Sequence, residues 1–218
     1  MAANGTDDFG LGLDAAKVAH SIIRYETMRK LAFIIIYFAA FNGKIFAIPT
    51  VYTTQTFYKI LGTTEQDLRN QLNKLGPFFS DKRYDAKTTW QINWNYKWHY
   101  DNPSKNPCYL TEVKVTANIV TVLPEWEDKE HGSAESQLKW ENYLTHLSQH
   151  EEGHANNGKE VATEIENALL AIPPMLSCEQ LQSTIENTAQ GIVKQHNIWD
   201  INYDATTQHG KTQGATFP

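Results

Sequence analysis

The sequence predicts a single compact α+β domain in which an antiparallel sheet packs on two long helices, and three observations carry that prediction. Residues 88–100, "TTWQINWNYKWHY", alternate large apolar and polar side chains, the period of a strand with one face on a core. Residues 109–123 are β-branched and alternate in the same way up to Pro124. From Ser133 the period changes, and Leu138, Tyr143, Leu144, Leu147, Val161, Ile165, Ala168 and Leu169 recur at helical spacing.

Taken in chain order, the elements begin after an apolar segment. Met28-Arg29-Lys30 precedes an uncharged run, Leu31 to Phe41, and then Asn42, Gly43 and Lys44 lead to Ala47. A basic start, an apolar stretch of 11 residues and a small residue before a cleavable bond read as a signal peptide over residues 28–47. A membrane span needs about 20 apolar residues, so no stable span is expected after cleavage. Residues 1–27 read as an upstream extension, with Met28 as initiator, and residues 48–218 as the folded domain.

"VYTTQTFYKI", Val51 to Ile60, is β-branched and aromatic with Gly62 behind it, which predicts a strand. Thr63 or Thr64 caps a helix carrying Leu68, Leu72 and Leu75, and Gly76-Pro77 ends it. The stripe Trp90, Ile92, Trp94, Tyr96, Trp98 and Tyr100 is expected on the core rather than in a substrate groove. "NPSKNPC" follows as a loop, and residues 109–123 are its natural antiparallel partner across that loop. The long helix from Ser133 runs to Ile172-Pro173-Pro174. Ser177 caps a second, which carries Leu181, Ile185, Ile192 and Val193, and the final "WDINYDATTQHGKTQGATFP" has turn composition and reads as a surface tail.

The charge balance is 19 Lys+Arg against 25 Asp+Glu, a net charge of -6, and no basic run could neutralise a phosphate backbone, so nucleic acid is not an expected partner. Cys108 and Cys178 are the only cysteines. An exported chain meets an oxidising compartment, so the pair is expected to bridge, with two buried free thiols as the alternative. Closing a loop of that length stabilises a fold by roughly 4 kcal/mol on the chain-entropy account.

The chemistry centres on "LSQHEEGHANNGKE", Leu147 to Glu160, inside the long helix. His150 and His154 stand one turn apart, so both imidazoles can aim at one point about 2 Å from each, which is zinc geometry. Glu151 is turned away from that line, where its carboxylate can reach water at the metal rather than the metal itself, the place of a general base. His146 extends the stripe, but eight residues of helix rise about 12 Å, too far for three rings on one ion. It is expected to pack beside the site. A catalytic zinc usually takes three protein ligands. Glu160, Glu164 and His209 are the candidates for the third, and spacing alone does not choose among them.

These motifs together, "TTEQDLRNQLNKLGPF", the aromatic strand, Cys108 leading to "LPEW", Trp140 ahead of "HEEGH", the Cys178 helix and "YDATTQHGKTQGA", resemble a bacterial family of predicted secreted zinc-dependent proteases, known mainly as a domain of unknown function. The resemblance implies a zincin-like metallopeptidase domain over residues 48–218 with a Cys108–Cys178 bridge. It also implies Zn2+ held by His150 and His154, with Glu151 as base and His209 as the third ligand. Tyr203, in the same tail, is placed to hydrogen-bond the oxyanion, as tyrosines do in other zincins. The expectation is an exported zinc-dependent hydrolase, periplasmic or secreted, that cleaves a peptide or protein substrate. If residues 90–100 or 109–123 form a sheet edge beside the zinc helix, that edge can pair with an extended substrate. The rival expectation is a non-catalytic exported binding module that uses the aromatic strand face.

Overall fold

The computed structural model describes residues 48–79, 81–100 and 107–218. The upstream extension, the signal peptide and most of the loop after Tyr100 lie outside these residues. The strands are β1 (Thr50–Ile60), β2 (Phe78–Phe79), β3 (Lys82–Arg83), β4 (Lys87–His99) and β5 (Tyr109–Trp126). The helices are α1 (Glu65–Leu75), α2 (Ala134–Leu170) and α3 (Cys178–Thr207), with single 3-10 turns at Lys129–His131 and Lys211–Gln213.

The α+β class holds, with a sheet packed against helices, but the sheet is mixed rather than wholly antiparallel. Its order is β1-β5-β4. β4 and β5 pair antiparallel as the alternation predicts, whereas β1 runs parallel to β5, Thr50 opposite Thr116 through Ile60 opposite Trp126. The β1–β4 connection carries α1 and the short β2–β3 hairpin, enough chain to cross the sheet, so β5 inserts between them. β5 also runs past Pro124. β4 starts at Lys87, opposite Val122, so Pro124 sits where β5 has a strand on one side only, a position that tolerates the missing N–H.

One face of the sheet makes the main core. Val115, Ala117 and Ile119 of β5 are buried against Ala155, Val161, Ala162, Ile165 and Leu169 of α2 and Leu181, Ile185, Ala189 and Ile192 of α3. Trp90, Ile92, Trp94 and Tyr96 pack on the same cluster, so the aromatic stripe is core over that stretch. It ends at a bulge between Lys97 and Trp98, after which Trp98 and Tyr100 are 38% and 43% exposed. Gly158 is where α2 crosses β4, and a Cβ there would lie 2.8 Å from that of Trp90.

Ser177 caps α3 as expected, accepting from the Gln180 amide, and Ser133, where the helical period begins, caps α2 by accepting from the Ser136 amide. Pro173 and Pro174 end the first run, and Cys108 bridges to Cys178, tying the start of β5 to the start of α3. Residues 199–207 are not an irregular tail: α3 continues through them and stops at Gln208, which takes a left-handed φ of 51°. Asn, Asp and Thr are weak helix formers, and packing on α2 overrides that weakness here. The remaining C-terminal segment is pinned by a second cluster in which Ala215 and Phe217 join Ile60, Leu68, Leu72, Leu123, Trp126, Trp140, Tyr143 and Leu147. Arg69 ties the same segment to the core, donating to both carboxylate oxygens of Asp85 and to the Phe217 carbonyl at 3.0 Å. Among the described residues no helix is long and apolar enough to cross a membrane.

Candidate metal centre

The middle of α2 contributes His150, Glu151 and His154, all buried in spite of their polarity. Opposite them, the last turns of α3 present Asp200, Tyr203 and Asp204, which share a helix face at i, i+3 and i+4. The 3-10 turn after α3 adds Gln213.

Two imidazoles converge on one carboxylate oxygen. His150 Nε2 and His154 Nε2 each lie 3.1 Å from Asp204 Oδ1. These three donors fall within 4.8 Å of one another, a group that could hold a metal ion. Tetrahedral donors about 2.05 Å from zinc stand about 3.3 Å apart, so the spacing suits a small divalent cation with little rearrangement. The outer ring nitrogens are also held: His154 Nδ1 is 2.8 Å from Asp200 Oδ1, and His150 Nδ1 is 2.9 Å from Gln213 Oε1. Asp200 is fixed in turn by the Trp90 indole, which donates to its other oxygen at 2.8 Å.

Electrostatics agree with this reading. Burial alone would lower the pKa of His154, but hydrogen bonds to Asp200 and Asp204 outweigh it and hold the ring near 10. Asp204 is half-buried, yet its hydrogen bonds to His150 and His154 pull its carboxyl well below the usual range. Such a cluster of compensating charges is one that a cation can enter by displacing protons. Glu151 lies 5% exposed, and its Oε2 has no hydrogen-bond partner. Burial pushes its carboxyl upward, opposed by a hydrogen bond from Thr88 and by the two histidines. A buried acceptor left open beside a candidate cation site is a place for a proton-bearing ligand.

The structure brings together His150, Glu151 and His154 as the spacing predicts. The third member of the group that could hold a metal ion is Asp204, which sequence reasoning missed. His209 is nearby, its Nδ1 3.3 Å from Asp204 Oδ1, but its ring is about half exposed and stacks obliquely on Tyr84. It contacts the same Asp204 oxygen as the paired rings but is not among the three clustered donors. Glu160 is exposed further along α2, and Glu164 instead meets His196 Nε2 at 2.9 Å, so neither reaches the centre. His146 turns back to the Asn142 carbonyl at 2.9 Å, outside the cluster as expected.

Tyr203 lies behind the histidines rather than over an open face. Its ring stacks on His150 with centroids 4.9 Å apart and planes 11° apart, and meets His154 edge-on at 5.0 Å. Its hydroxyl donates to the His150 carbonyl at 3.4 Å and accepts from Gln213 Nε2 at 3.1 Å, so both its functions are taken by the protein. The oxyanion role implied by the resemblance has no free donor here. Had residues 199–207 been read as helix, the spacing of Asp200, Tyr203 and Asp204 would have marked one face. Gln213 carried no signal.

The sequence profile of a family described as "Bacterial protein of unknown function (DUF922)" matches residues 55–210, a span that includes all three clustered donors and Glu151. No curated protein and no solved structure matches the chain.

Proposed function

The chain belongs to the DUF922 family of bacterial proteins of unknown function, and from the geometry of the centre we propose a zinc-dependent hydrolase that cleaves peptide bonds. The observation that carries the reading is the partnerless Oε2 of buried Glu151 beside three convergent donors. His150, His154 and Asp204 would hold the ion. Zinc, when bound, supplies a Lewis acid for a carbonyl and lowers the pKa of water towards about 7.

This chain's residues do the rest. Glu151 Oε2 takes a proton from the attacking water and returns it to the departing amide nitrogen, so that water and peptide yield an acid and an amine. The Thr88 hydroxyl has one proton, shared between that carboxylate and the Glu151 carbonyl at 3.2 Å. Among the described residues β4 has a strand neighbour on one side only, and its start lies against Glu151 through Thr88 and against Asp200 through Trp90. An extended peptide can add to that edge and bring its backbone to the centre. β5, the other strand considered for this role, is central and closed to it. The Cys108–Cys178 bridge is compatible with export and supports a periplasmic or secreted location.

The alternative of a binding module using the aromatic face is weakened by the packing of Trp90, Trp94 and Tyr96 on the core. Glu151→Gln discriminates between the two. The variant is expected to keep its zinc and lose about 10²–10⁴-fold in hydrolysis of unfolded peptide substrates, read by mass spectrometry of the products. Equal turnover by parent and variant removes Glu151 from the chemistry. A parent that binds no zinc removes the whole reading.

A further inference from the structure

We propose that Gln213 and Tyr203 are positioning residues that set which nitrogen of His150 is offered to the metal, an inference that rests on the metal reading above. The argument follows the protons. The His150 backbone carbonyl can only accept, so the Tyr203 hydroxyl spends its proton there. Its oxygen can then only accept from the Gln213 amide, which must turn its Nε2 towards Tyr203. The other end of the amide, Oε1, therefore faces His150 Nδ1 at 2.9 Å and requires a hydrogen on that nitrogen. With Nδ1 carrying the hydrogen that Gln213 accepts, Nε2 is the nitrogen left for the metal; it donates to Asp204 Oδ1 at 3.1 Å, and its lone pair is freed when a cation displaces that hydrogen. A chain of three groups thus fixes one tautomer, while the stacked Tyr203 ring fixes the plane of the imidazole.

Gly153 supports the same inference from another side. A Cβ at this position would stand 2.4 Å from the Tyr203 hydroxyl, so the seat exists only because the residue before His154 has no side chain. Glycine in a helix interior is unfavourable relative to alanine. Seating Tyr203 is the compensating use that the structure shows.

The test is zinc affinity, measured on the oxidised chain by competition with a chelator, in Gln213→Leu, Gln213→Glu, Tyr203→Phe and the double variant Tyr203→Phe/Gln213→Glu. Gln213→Leu is expected to bind zinc about 10–100-fold more weakly, the range for loss of a partner behind a metal-binding histidine. Gln213→Glu is expected to bind as the parent does or more tightly, because either carboxylate oxygen can accept from Nδ1. Tyr203→Phe lets the amide of Gln213 turn over and weakens binding, yet has no further effect beside Gln213→Glu, which has no amide to turn. A merely structural tyrosine would cost the same factor in both backgrounds, and that result overturns the inference. So does a ¹⁵N spectrum of the zinc-loaded parent in which His150 binds through Nδ1, a reading that needs no variant to fold. A parent without zinc affinity overturns the metal reading itself, whereas zinc binding with uncoupled variants overturns this inference alone.

Discussion

Replacing Asp204 with alanine tests the central geometry. Its Oδ1 stands 3.1 Å from the Nε2 atoms of both His150 and His154, so the variant keeps two imidazoles and loses the donor between them. A four-ligand structural zinc site is worth about 10–16 kcal/mol, which divided evenly is about 2.5–4 kcal/mol per donor, or about 70- to 900-fold in affinity. At free zinc a thousandfold above the dissociation constant the ion stabilises the parent by about 4 kcal/mol. In a domain of this size each kcal/mol moves Tm by about 2–4 °C, so zinc should raise the parent's Tm by about 8–16 °C. At the same zinc concentration the Asp204→Ala shift should fall to about 1–6 °C, since the ion is then only about 1 to 14 times above its dissociation constant. His209→Ala should retain most of the parent shift, because that ring is about half exposed and outside the three clustered donors. Calorimetric melts with and without zinc give all three numbers. The assignment is refuted if Asp204→Ala keeps the full shift while His209→Ala, Glu160→Ala or Glu164→Ala loses it.

Two further outcomes concern stability away from the centre. Cys108→Ser opens the bridge across 70 positions, and denaturant unfolding should show a loss of about 4 kcal/mol; an unchanged midpoint would mean the reduced chain is already constrained. Glu166 is 3% exposed, its Oε2 has no partner, and burial raises its carboxyl despite a hydrogen bond from the Val115 amide. A raised carboxyl means the native state holds its proton more tightly than the unfolded chain, so this group's contribution is most favourable below its unfolded value and declines as pH rises through its folded value. Glu166→Gln keeps an acceptor for Val115 and removes the charge. Its Tm should exceed the parent's at pH 7 and converge with it at acid pH, and a gap independent of pH would contradict the assignment.

The legible parts of the molecule are those encoded by neighbours in the chain. Alternation from Trp90 to Tyr96 placed β4 and its core face, and the change of period at Ser133 placed the start of α2. The parallel run of β1 was not legible, because strand direction depends on how the β1–β4 connection crosses the sheet. Asp204 was hidden for a related reason. Trp199 to Thr207 has the composition of a turn, and its helix exists because α3 lies along α2 and the Trp199, Tyr203 and His150 rings stack in sequence.

By itself the sequence determined the half of the centre that one helical turn can hold: His150 and His154 at i and i+4, with Glu151 beside them, because a 3.6-residue period converts spacing directly into direction. Tertiary structure alone decided the donor that completes it and the groups that orient it. Asp204 and Gln213 come from segments 50 and more residues away, and only the packing of α3 and of the C-terminal segment against α2 brings their side chains to within 3.1 and 2.9 Å of the same imidazole.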